Sequence, residues 1–514
     1  MGRLFGTDGI RGVANRELGC ELAMLAGRAA AKVMSNARRR PLFAVGMDTR
    51  LSSPMLSRAL SGGLCSVGAD VLDLGEVPTP AVAYLVGRYK ADAGVMISAS
   101  HNSAEYNGIK IFGGSGYKLP DALEEEIESL IAKDGPFDLP SGDGVGKLTQ
   151  ATDAVKIYVD HLKSTVLHSP EGLRIAVDCA NGAASLSAVK LMRELGVDAQ
   201  FLFHQPDGLN INRACGSTHM EALSGYVVEH GLDAGVAFDG DADRCLCVDE
   251  KGEIVDGDQM LAFCALDMKK RGRLEKNALV GTVLSNLGLT KFCEANGMNF
   301  VATKVGDRFV LEEMLQEEYT LGGEQSGHLI FRDFATTGDG ELTAIQVLSL
   351  LKREGTPLSV LASQMKKYPQ AFQNVRTSAE GKLRFYTDDV IQGAVEAEKK
   401  ALGASGRVIV RVSGTEPLIR VMTEGESTSF TSMGSQVRVL LRPPQTLENT
   451  TFSRVFHFLW TPIYSFWRAE MNGIHHAVHI KNRMIAERYI LLPCPEGCSK
   501  SGVFTVLHNK APAS

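Results

Sequence analysis

Aromatic residues are scarce in this sequence, at 7% of 514 residues with only 2 tryptophans. Long hydrophobic runs are missing as well: no stretch approaches the ~20 apolar residues that a membrane-spanning helix needs. The start, Met1-Gly2-Arg3-Leu4-Phe5-Gly6-Thr7-Asp8, lacks the apolar core of a secretory signal. Gly2 opens no myristoylation motif, because position 6 is Gly where Ser or Thr is required. There is no excess of positive charge. Lys+Arg number 54 against 60 Asp+Glu, a net charge of −6, which excludes the basic face of a nucleic-acid binder. Disulfide spacing is absent too, since the 10 cysteines are scattered through apolar runs such as Cys245-Leu246-Cys247. Cys494 and Cys498 form the one close pair of the C-terminal region, with no second pair to complete a zinc site. These exclusions predict a cytoplasmic protein with reduced thiols, no nucleic-acid partner and no membrane partner.

What is present is an ordinary globular composition, 44% hydrophobic and 22% charged, in a chain long enough for three or more domains. Up to about residue 425, short β-branched runs alternate with amphipathic stretches. "PLFAVGMDTR" (41–50), "LRIAVDCANGAAS" (173–185), "LDAGVAFDGDADR" (232–244) and "NALVGTVLSN" (277–286) each read as a strand entering a loop. This is the rhythm of βα units, and it places functional loops at the carboxyl ends of the strands. Gly/Pro-rich breaks at 133–146, 249–259 and 366–372 divide the chain into units 1–150, 151–253, 254–367 and a smaller 368–427. Residues 428–514 differ in kind. They hold both tryptophans, five of the 12 histidines, and nine Lys/Arg against four Asp/Glu. No basic amphipathic helix accompanies the aromatics, so an irregular appended segment is expected rather than a membrane patch. His475, His476 and His479 have no carboxylate or Cys neighbours to make them a metal site.

Four stretches carry chemistry. In "AFDGDADRCLCVDE" (237–250), Asp239, Asp241 and Asp243 alternate directly after an apolar strand. Three carboxylates this close repel one another unless a cation sits among them, and oxygen ligands alone favour Mg²⁺. An EF-hand reading fails, because its sixth position is Arg244 rather than glycine. Arg244 instead offers a guanidinium suited to phosphate oxygens. In "RVSGTEPLIR" (411–420), Arg411, Ser413, Gly414 and Thr415 make a small anion-binding loop to which Arg420 returns. In "LGGEQSGHLIF" (321–331), Glu324, Ser326 and His328 occupy alternating positions that suit a polyhydroxylated ligand. Finally, "MISASHNSAEYNGIK" (96–110) sets Ser100 against His101. A hydrolase pair is rejected, since neighbouring side chains of an extended segment point to opposite faces and no G-x-S-x-G elbow is present. Ser100 at a strand end, with an acidic loop to meet and Lys110 ten residues on, reads as a phosphate carrier.

The ordered set "LFGTDGIRG" (4–12), "ISASHN" with "NGIKIF" (97–112), "DGDADR" (239–244), "SNLGL" (285–289), "VGDRFV" (305–310), "GGEQSGH" (322–328) and "SGTEP" (413–417) resembles the α-D-phosphohexomutases over residues 1 to about 425. The resemblance implies three similar α/β domains and a smaller α+β C-terminal domain around a central cleft, followed here by an atypical tail. It implies that Ser100 is the phosphoserine and that its phosphate holds one Mg²⁺ together with Asp239, Asp241 and Asp243. Arg11, Lys110, Arg244 and His328 would line the reaction centre, with Lys110 or His328 as base. Glu324 and Ser326 would read sugar hydroxyls, and Arg411, Ser413, Gly414, Thr415 and Arg420 would grip the distal phosphate. The implied activity is the interconversion of glucosamine 6-phosphate and glucosamine 1-phosphate through a hexose bisphosphate; the alternatives are glucose and mannose phosphates as substrates, or a catalytically weak sugar-phosphate-binding variant because of the altered C-terminus. A small phosphosugar is then the partner, and a homodimer is compatible with the sequence. Three departures stand out: Ser103 and Val412 replace prolines usual in the family, and the tail replaces the helix expected after Glu426.

Overall fold

The central strands are short runs of small and β-branched residues, buried on both faces as parallel strands covered by helices must be. Every residue of Ala93–Ile97, Ala234–Phe238 and Ala278–Thr282 is buried. The computed structural model describes residues 4–425 apart from 7, 8, 36–39, 134, 136 and 414–416. The tail, its histidine cluster, the Cys494/Cys498 pair, Gly414 and Thr415 lie outside the described residues.

Four sheets follow one another along the chain. The first contains β1 (Phe5–Gly6), β2 (Gly9–Val13), β3 (Leu42–Met47), β4 (Asp70–Glu76), β5 (Ala93–Ile97), β6 (Tyr106–Gly113) and β7 (Leu148–Gln150), in the order β1-β2-β6-β5-β3-β4-β7. The second contains β8 (Arg174–Asp178), β9 (Asp198–Leu202), β10 (Ala234–Phe238), β11 (Cys245–Asp249) and β12 (Ile254–Val255), in the order β12-β11-β10-β8-β9. The third contains β13 (Ala278–Thr282), β14 (Asn299–Thr303), β15 (Leu321–Gly323) and β16 (Leu329–Phe331), in the order β14-β13-β15-β16. The fourth is an antiparallel sheet of β17 (Gln370–Arg376), β18 (Gly406–Val412) and β19 (Leu418–Gly425), in the order β17-β19-β18. The expected fold class, three α/β units and a smaller α+β unit, is the one found.

The first three sheets share one four-stranded kernel. Numbering each kernel's strands by sequence, the lateral order is fourth-third-first-second every time: β6-β5-β3-β4, β11-β10-β8-β9 and β16-β15-β13-β14. The first three strands are parallel and the fourth antiparallel. The turn from third to fourth strand is therefore equivalent in all three units. Those turns hold Ser100, the Asp239–Asp243 loop and the Glu324–His328 loop.

One apolar cluster, running from Ala44 to Met365, passes through all three α/β units. The fourth sheet has a core of its own, built from Val375, Phe385, Ile391, Val395, Leu402, Val408, Ile419 and Val421. Polar side chains start several helices. Asp256 and Gln259 form a reciprocal capping box before the helix Gly257–Lys270, and Asp339 accepts from Leu342 N at the start of Gly340–Glu354. Among the described residues no helix is long and apolar enough to cross a membrane.

Candidate active site

Ser100 follows the fully buried β5 and has a φ of +52°, in the left-handed region that few residues other than glycine adopt. Its side chain is buried, and Oγ donates to Asp239 Oδ2 at 2.7 Å. The main chain around it is held from both ends. Ser100 N donates to Ser98 Oγ at 3.0 Å, and Ser98 Oγ in turn donates to Asp48 Oδ2 at 2.5 Å. The Ser100 carbonyl accepts from Arg50 at 2.8 Å and from Asn212 Nδ2 at 2.9 Å. Arg50 also reaches the carbonyl of Ser103 at 2.6 Å, so the turn is closed without the proline usual there.

The left-handed turn corrects one expectation. Ser100 and His101 were expected on opposite faces, which presupposed extended backbone; the turn instead brings Ser100 Oγ to 3.4 Å from His101 Nδ1. The pair still makes no hydrolase. Nδ1 also faces an Arg244 nitrogen at 3.3 Å, and burial together with Arg244 and Arg11 pushes the imidazole down to about 4. A ring so reluctant to take a proton is a poor base at neutral pH.

Opposite Ser100 lies the acidic loop. Asp239, Asp241 and Asp243 are all buried, and one oxygen from each falls within 4.8 Å of the others. Burial, then Asp243 and Asp241, holds the Asp239 carboxyl well above the usual range. At Asp243 burial acts the same way, but Lys110, His328 and Arg244 outweigh it and hold the group low. Lys110 Nζ, almost fully buried, lies 2.8 Å from Asp241 Oδ2 and 3.5 Å from Asp243 Oδ2. Asp241 Oδ1 and Asp243 Oδ1 are buried without a hydrogen-bond partner among the described residues. Buried carboxylate oxygens rarely stay unpartnered, so a hard divalent cation fits this donor set. Gly240 is needed at the contact of the two loops, because a Cβ there would meet the Ser100 carbonyl at 2.6 Å.

The third turn is not extended either. Gly327 N donates to the Glu324 carbonyl at 3.0 Å, closing a tight turn with Gly327 at φ +92°. Glu324 and His328 thus meet across a hairpin rather than by strand alternation, with Glu324 N on the His328 carbonyl at 3.1 Å. Ser326 Oγ at the tip is buried and unpartnered among the described residues. His328 Nδ1 lies 3.7 Å from Asp243 Oδ2, and Nε2 accepts from Gly338 N at 3.1 Å. Burial opposes charge on this ring, whereas Asp243, Asp307 and Glu324 favour it, and the net direction is upward.

On the fourth sheet Arg411 and Arg420 are direct cross-strand partners of the β18–β19 hairpin. Like charges in that position destabilise a sheet unless an anion joins them. Burial and Arg420 both lower the Arg411 pKa, with Glu324 pulling the other way. These two arginines border a cavity of about 240 Å³. Ser413 N closes the hairpin end on the Leu418 carbonyl at 2.9 Å. Arg11 lies on β2 opposite Gly108.

Sequence reasoning therefore gathered the serine, the aspartates, Lys110, Arg244 and His328 into one centre, with Glu324 between that centre and Arg411. It missed Asp48, Arg50, Ser98 and Asn212, which hold the Ser100 turn. It also missed Thr79, whose Oγ1 donates to Asp241 Oδ2 at 2.7 Å, and Lys382, which donates to the Ser413 carbonyl at 2.7 Å. A charged pair straight after the apolar strand in "LFAVGMDTR" was the available signal for Asp48 and Arg50.

Comparison with known proteins gives a consistent neighbourhood. The family description "Phosphoglucomutase/phosphomannomutase, alpha/beta/alpha domain I" matches residues 2–136, domain II matches 156–252, domain III matches 256–368 and the C-terminal domain matches 373–430. The phosphoglucosamine mutase of Clostridium botulinum (strain Kyoto / Type A2) is 50% identical over 430 residues, covering 83% of this chain and 96% of the relative. That of Caldanaerobacter subterraneus subsp. tengcongensis is 52% identical over 426 residues, covering 83% and 95%. Among solved structures, a phosphoglucomutase/phosphomannomutase family protein from Burkholderia thailandensis superposes with a TM-score of 0.72 at 24% identity, over 85% of this chain and 96% of that one. The N-acetylphosphoglucosamine mutase of Aspergillus fumigatus, solved with GlcNAc-6P and magnesium, gives 0.61 at 16% identity, over 85% and 95%.

Proposed function

The chain belongs to the phosphoglucomutase/phosphomannomutase family and acts as an isomerase on glucosamine 6-phosphate and glucosamine 1-phosphate, and we propose that Ser100 carries the phosphoryl group between the two positions. The observation behind this reading is Ser100 Oγ, 2.7 Å from Asp239 in a loop that leaves two buried carboxylate oxygens without a hydrogen-bond partner among the described residues. Asp239, Asp241, Asp243 and a Ser100 phosphate would hold one Mg²⁺, which when bound would neutralise phosphoryl charge. We take the units 1–150, 151–253, 254–367 and 368–427 as the four working domains, each contributing one loop.

The chain's own residues then divide the work. A phosphoserine of about −2 and three aspartates need surrounding cations before a second phosphate can approach. Lys110, Arg244 and Arg11 supply them. Glu324 and Ser326 take sugar hydroxyls, while Arg411, Ser413 and Arg420, together with Gly414 and Thr415 of the same motif, hold the phosphate that is not reacting. In the first transfer the bond from phosphorus to Ser100 Oγ breaks and a bond to the free sugar hydroxyl forms, giving a hexose bisphosphate. Lys110 gives a proton to the departing Oγ and recovers one from the sugar hydroxyl, so charge and protons balance. His328 is the weaker candidate, because Nε2 already accepts from Gly338 and Nδ1 faces Asp243. The bisphosphate turns end for end and the second transfer reverses the first at the other hydroxyl. Phosphoryl transfer asks for positioning and charge stabilisation rather than covalent participation beyond the serine.

The eight cysteines among the described residues are all unpaired, in keeping with a cytoplasmic location. The test is turnover of glucosamine 6-phosphate primed with hexose bisphosphate, alongside the intact mass of the protein. Ser100→Ala is expected to lose the phosphate mass and to lose turnover by at least about 10³-fold; substantial turnover in that variant would overturn the phosphoserine. Running glucose and mannose 6-phosphates in the same assay ranks the alternative substrates.

A further inference from the structure

Ser100 has an improbable backbone conformation for a residue with a side chain, and the groups that impose it lie outside the reacting set. Its N–H is taken by Ser98 Oγ and its carbonyl by Arg50 and Asn212. Two of these grips, Ser98 and Arg50, converge on one buried carboxylate. Asp48 Oδ2 accepts from Ser98 Oγ at 2.5 Å and from Arg50 Nε at 2.9 Å, while Oδ1 accepts from Arg50 N at 3.0 Å and from Ser53 Oγ at 2.6 Å. Asp48 and Arg50 are both essentially inaccessible to solvent.

Asn212 closes the turn from the other side. It belongs to the segment between β9 and the helix Glu221–His230, hence to the second α/β unit, whereas Asp48, Arg50 and Ser100 belong to the first. Its Nδ2 donates to the Ser100 carbonyl and to the Asn102 carbonyl, both at 2.9 Å. Arg50 donates to the same two carbonyls, at 2.8 and 2.9 Å. Asn212 is itself left-handed, with φ +57°, and its N–H is anchored on the Ala180 carbonyl at 2.9 Å. Two donors from two units thus chelate one pair of carbonyls, directly beneath the oxygen that faces the acidic loop.

We propose that Asn212, with the Asp48–Arg50 pair, is a positioning residue for phosphoryl transfer: it fixes the Ser100 turn of the first unit in register with the acidic loop of the second. None of the three touches Ser100 Oγ, so they act through the backbone. A hydroxyl on a turn free to relax toward ordinary φ would swing off Asp239, and a displacement of about 1 Å at a reacting atom can cost about 10²-fold in rate. The idea rests on Ser100 being the phosphoryl carrier.

Asn212→Ala tests it, because it removes the cross-unit donor without stranding a buried charge. Expected are a kcat lower by about 10–100-fold, a KM for glucosamine 6-phosphate within about twofold, and a phosphorylation of Ser100 by hexose bisphosphate, followed by intact mass, slowed by the same factor as kcat. Asn212→Asp, which turns a carboxylate on the two carbonyls, should be at least as slow. Arg50→Lys keeps the charge beside Asp48 but not the planar fork, and should also lower kcat while the protein stays folded by circular dichroism. Wild-type kcat in Asn212→Ala, or a lower melting temperature with an unchanged rate of Ser100 phosphorylation, would overturn the proposal. The Ser100→Ala control separates the two ideas. If that variant is inactive while Asn212→Ala is normal, only the positioning role falls; if it stays active, the phosphoserine falls first.

Discussion

At the scale of single residues, the centre depends on backbone being able to approach backbone. Gly240 faces the Ser100 carbonyl, the Asn212 amide and Ile211 Cδ1, which a Cβ would meet at 2.6, 2.7 and 2.9 Å. The first two cannot yield cheaply, since the carbonyl is fixed by two donors and the amide is one of them. Gly240→Ala should therefore separate the serine from the acidic loop. The expected result is a kcat lower by about 10–100-fold, with a stability loss of about 1–3 kcal/mol, typical of an added methyl in a filled site. Steady-state kinetics beside a denaturant titration would show both, and normal kinetics would mean that the loops have more play than these distances allow. The same crowding explains why the buried charges here are stable only as a set. Lys110 lies between Asp241 and Asp243, and removing any one member strands the others in a medium that penalises lone charge.

At the scale of elements, the start of the helix Gly257–Lys270 carries a carboxyl that none of the proposed chemistry uses. Asp258 is buried; Oδ2 accepts from Asn286 N at 2.7 Å, while Oδ1 has no partner among the described residues. Burial, with Asp256 and Glu424 nearby, pushes it up to about 7. Its folded value lies above the roughly 3.9 of an unfolded chain, so the folded state retains a proton that the unfolded state has released. The associated stability is complete below about pH 4 and is lost as pH rises through 7, a change on the order of 3–4 kcal/mol. Asp258→Asn has no such proton to lose. Unfolding free energies compared from pH 4.5 to 8 should move in favour of the variant as pH rises and level off above 7; parallel curves would contradict the raised value. This group was not legible in the sequence, since "VDGDQ" shows a capping pattern but not which of its acids is buried. The strands were legible, because runs such as "AGVAF" and "ALVGT" have the apolar continuity of doubly covered strands, and the three aspartates were legible because their spacing has no other economical use. Of the side chains beneath the Ser100 turn, Asp48 and Arg50 show in the sequence only as a charged pair after a strand, and nothing there links them to Ser100. Asp48, Arg50 and Asn212 are brought to it by strand order, over separations that no local pattern records.

At the scale of the whole molecule, three turns in equivalent places of three repeated kernels meet at one centre, and the fourth unit has to be delivered to it. The α/β units share a continuous apolar cluster, whereas the fourth sheet has a separate small core. Among the ties holding that sheet in place are several polar ones. Glu424 on β19 accepts from Leu287 N at 2.8 Å and Gln370 Nε2 at 3.0 Å with one oxygen, and from Arg407 Nε at 2.6 Å with the other. Arg407 also donates to the Ser285 carbonyl, and Asn286 exchanges hydrogen bonds with the Tyr368 backbone at 2.9 and 3.0 Å. Glu424 is thus a buried junction between β19, which carries Arg420, and the loop after β13. Glu424→Ala would leave Arg407 without its carboxylate and Leu287 N without an acceptor, the kind of loss that costs about 1–3 kcal/mol. Spread over the seating of the fourth sheet, it should appear as weaker retention of the non-reacting phosphate rather than slower chemistry. We expect KM for glucosamine 6-phosphate to rise about tenfold, the equivalent of 1.4 kcal/mol, while kcat at saturating substrate and primer changes little. Turnover should also become more dependent on added bisphosphate, because an intermediate that must reorient in the cleft escapes more readily when its distal grip is loose. Glu424→Gln, keeping an acceptor but not the charge, should fall between. A variant with wild-type KM and no added need for primer would show that the sheet is seated by apolar contact alone.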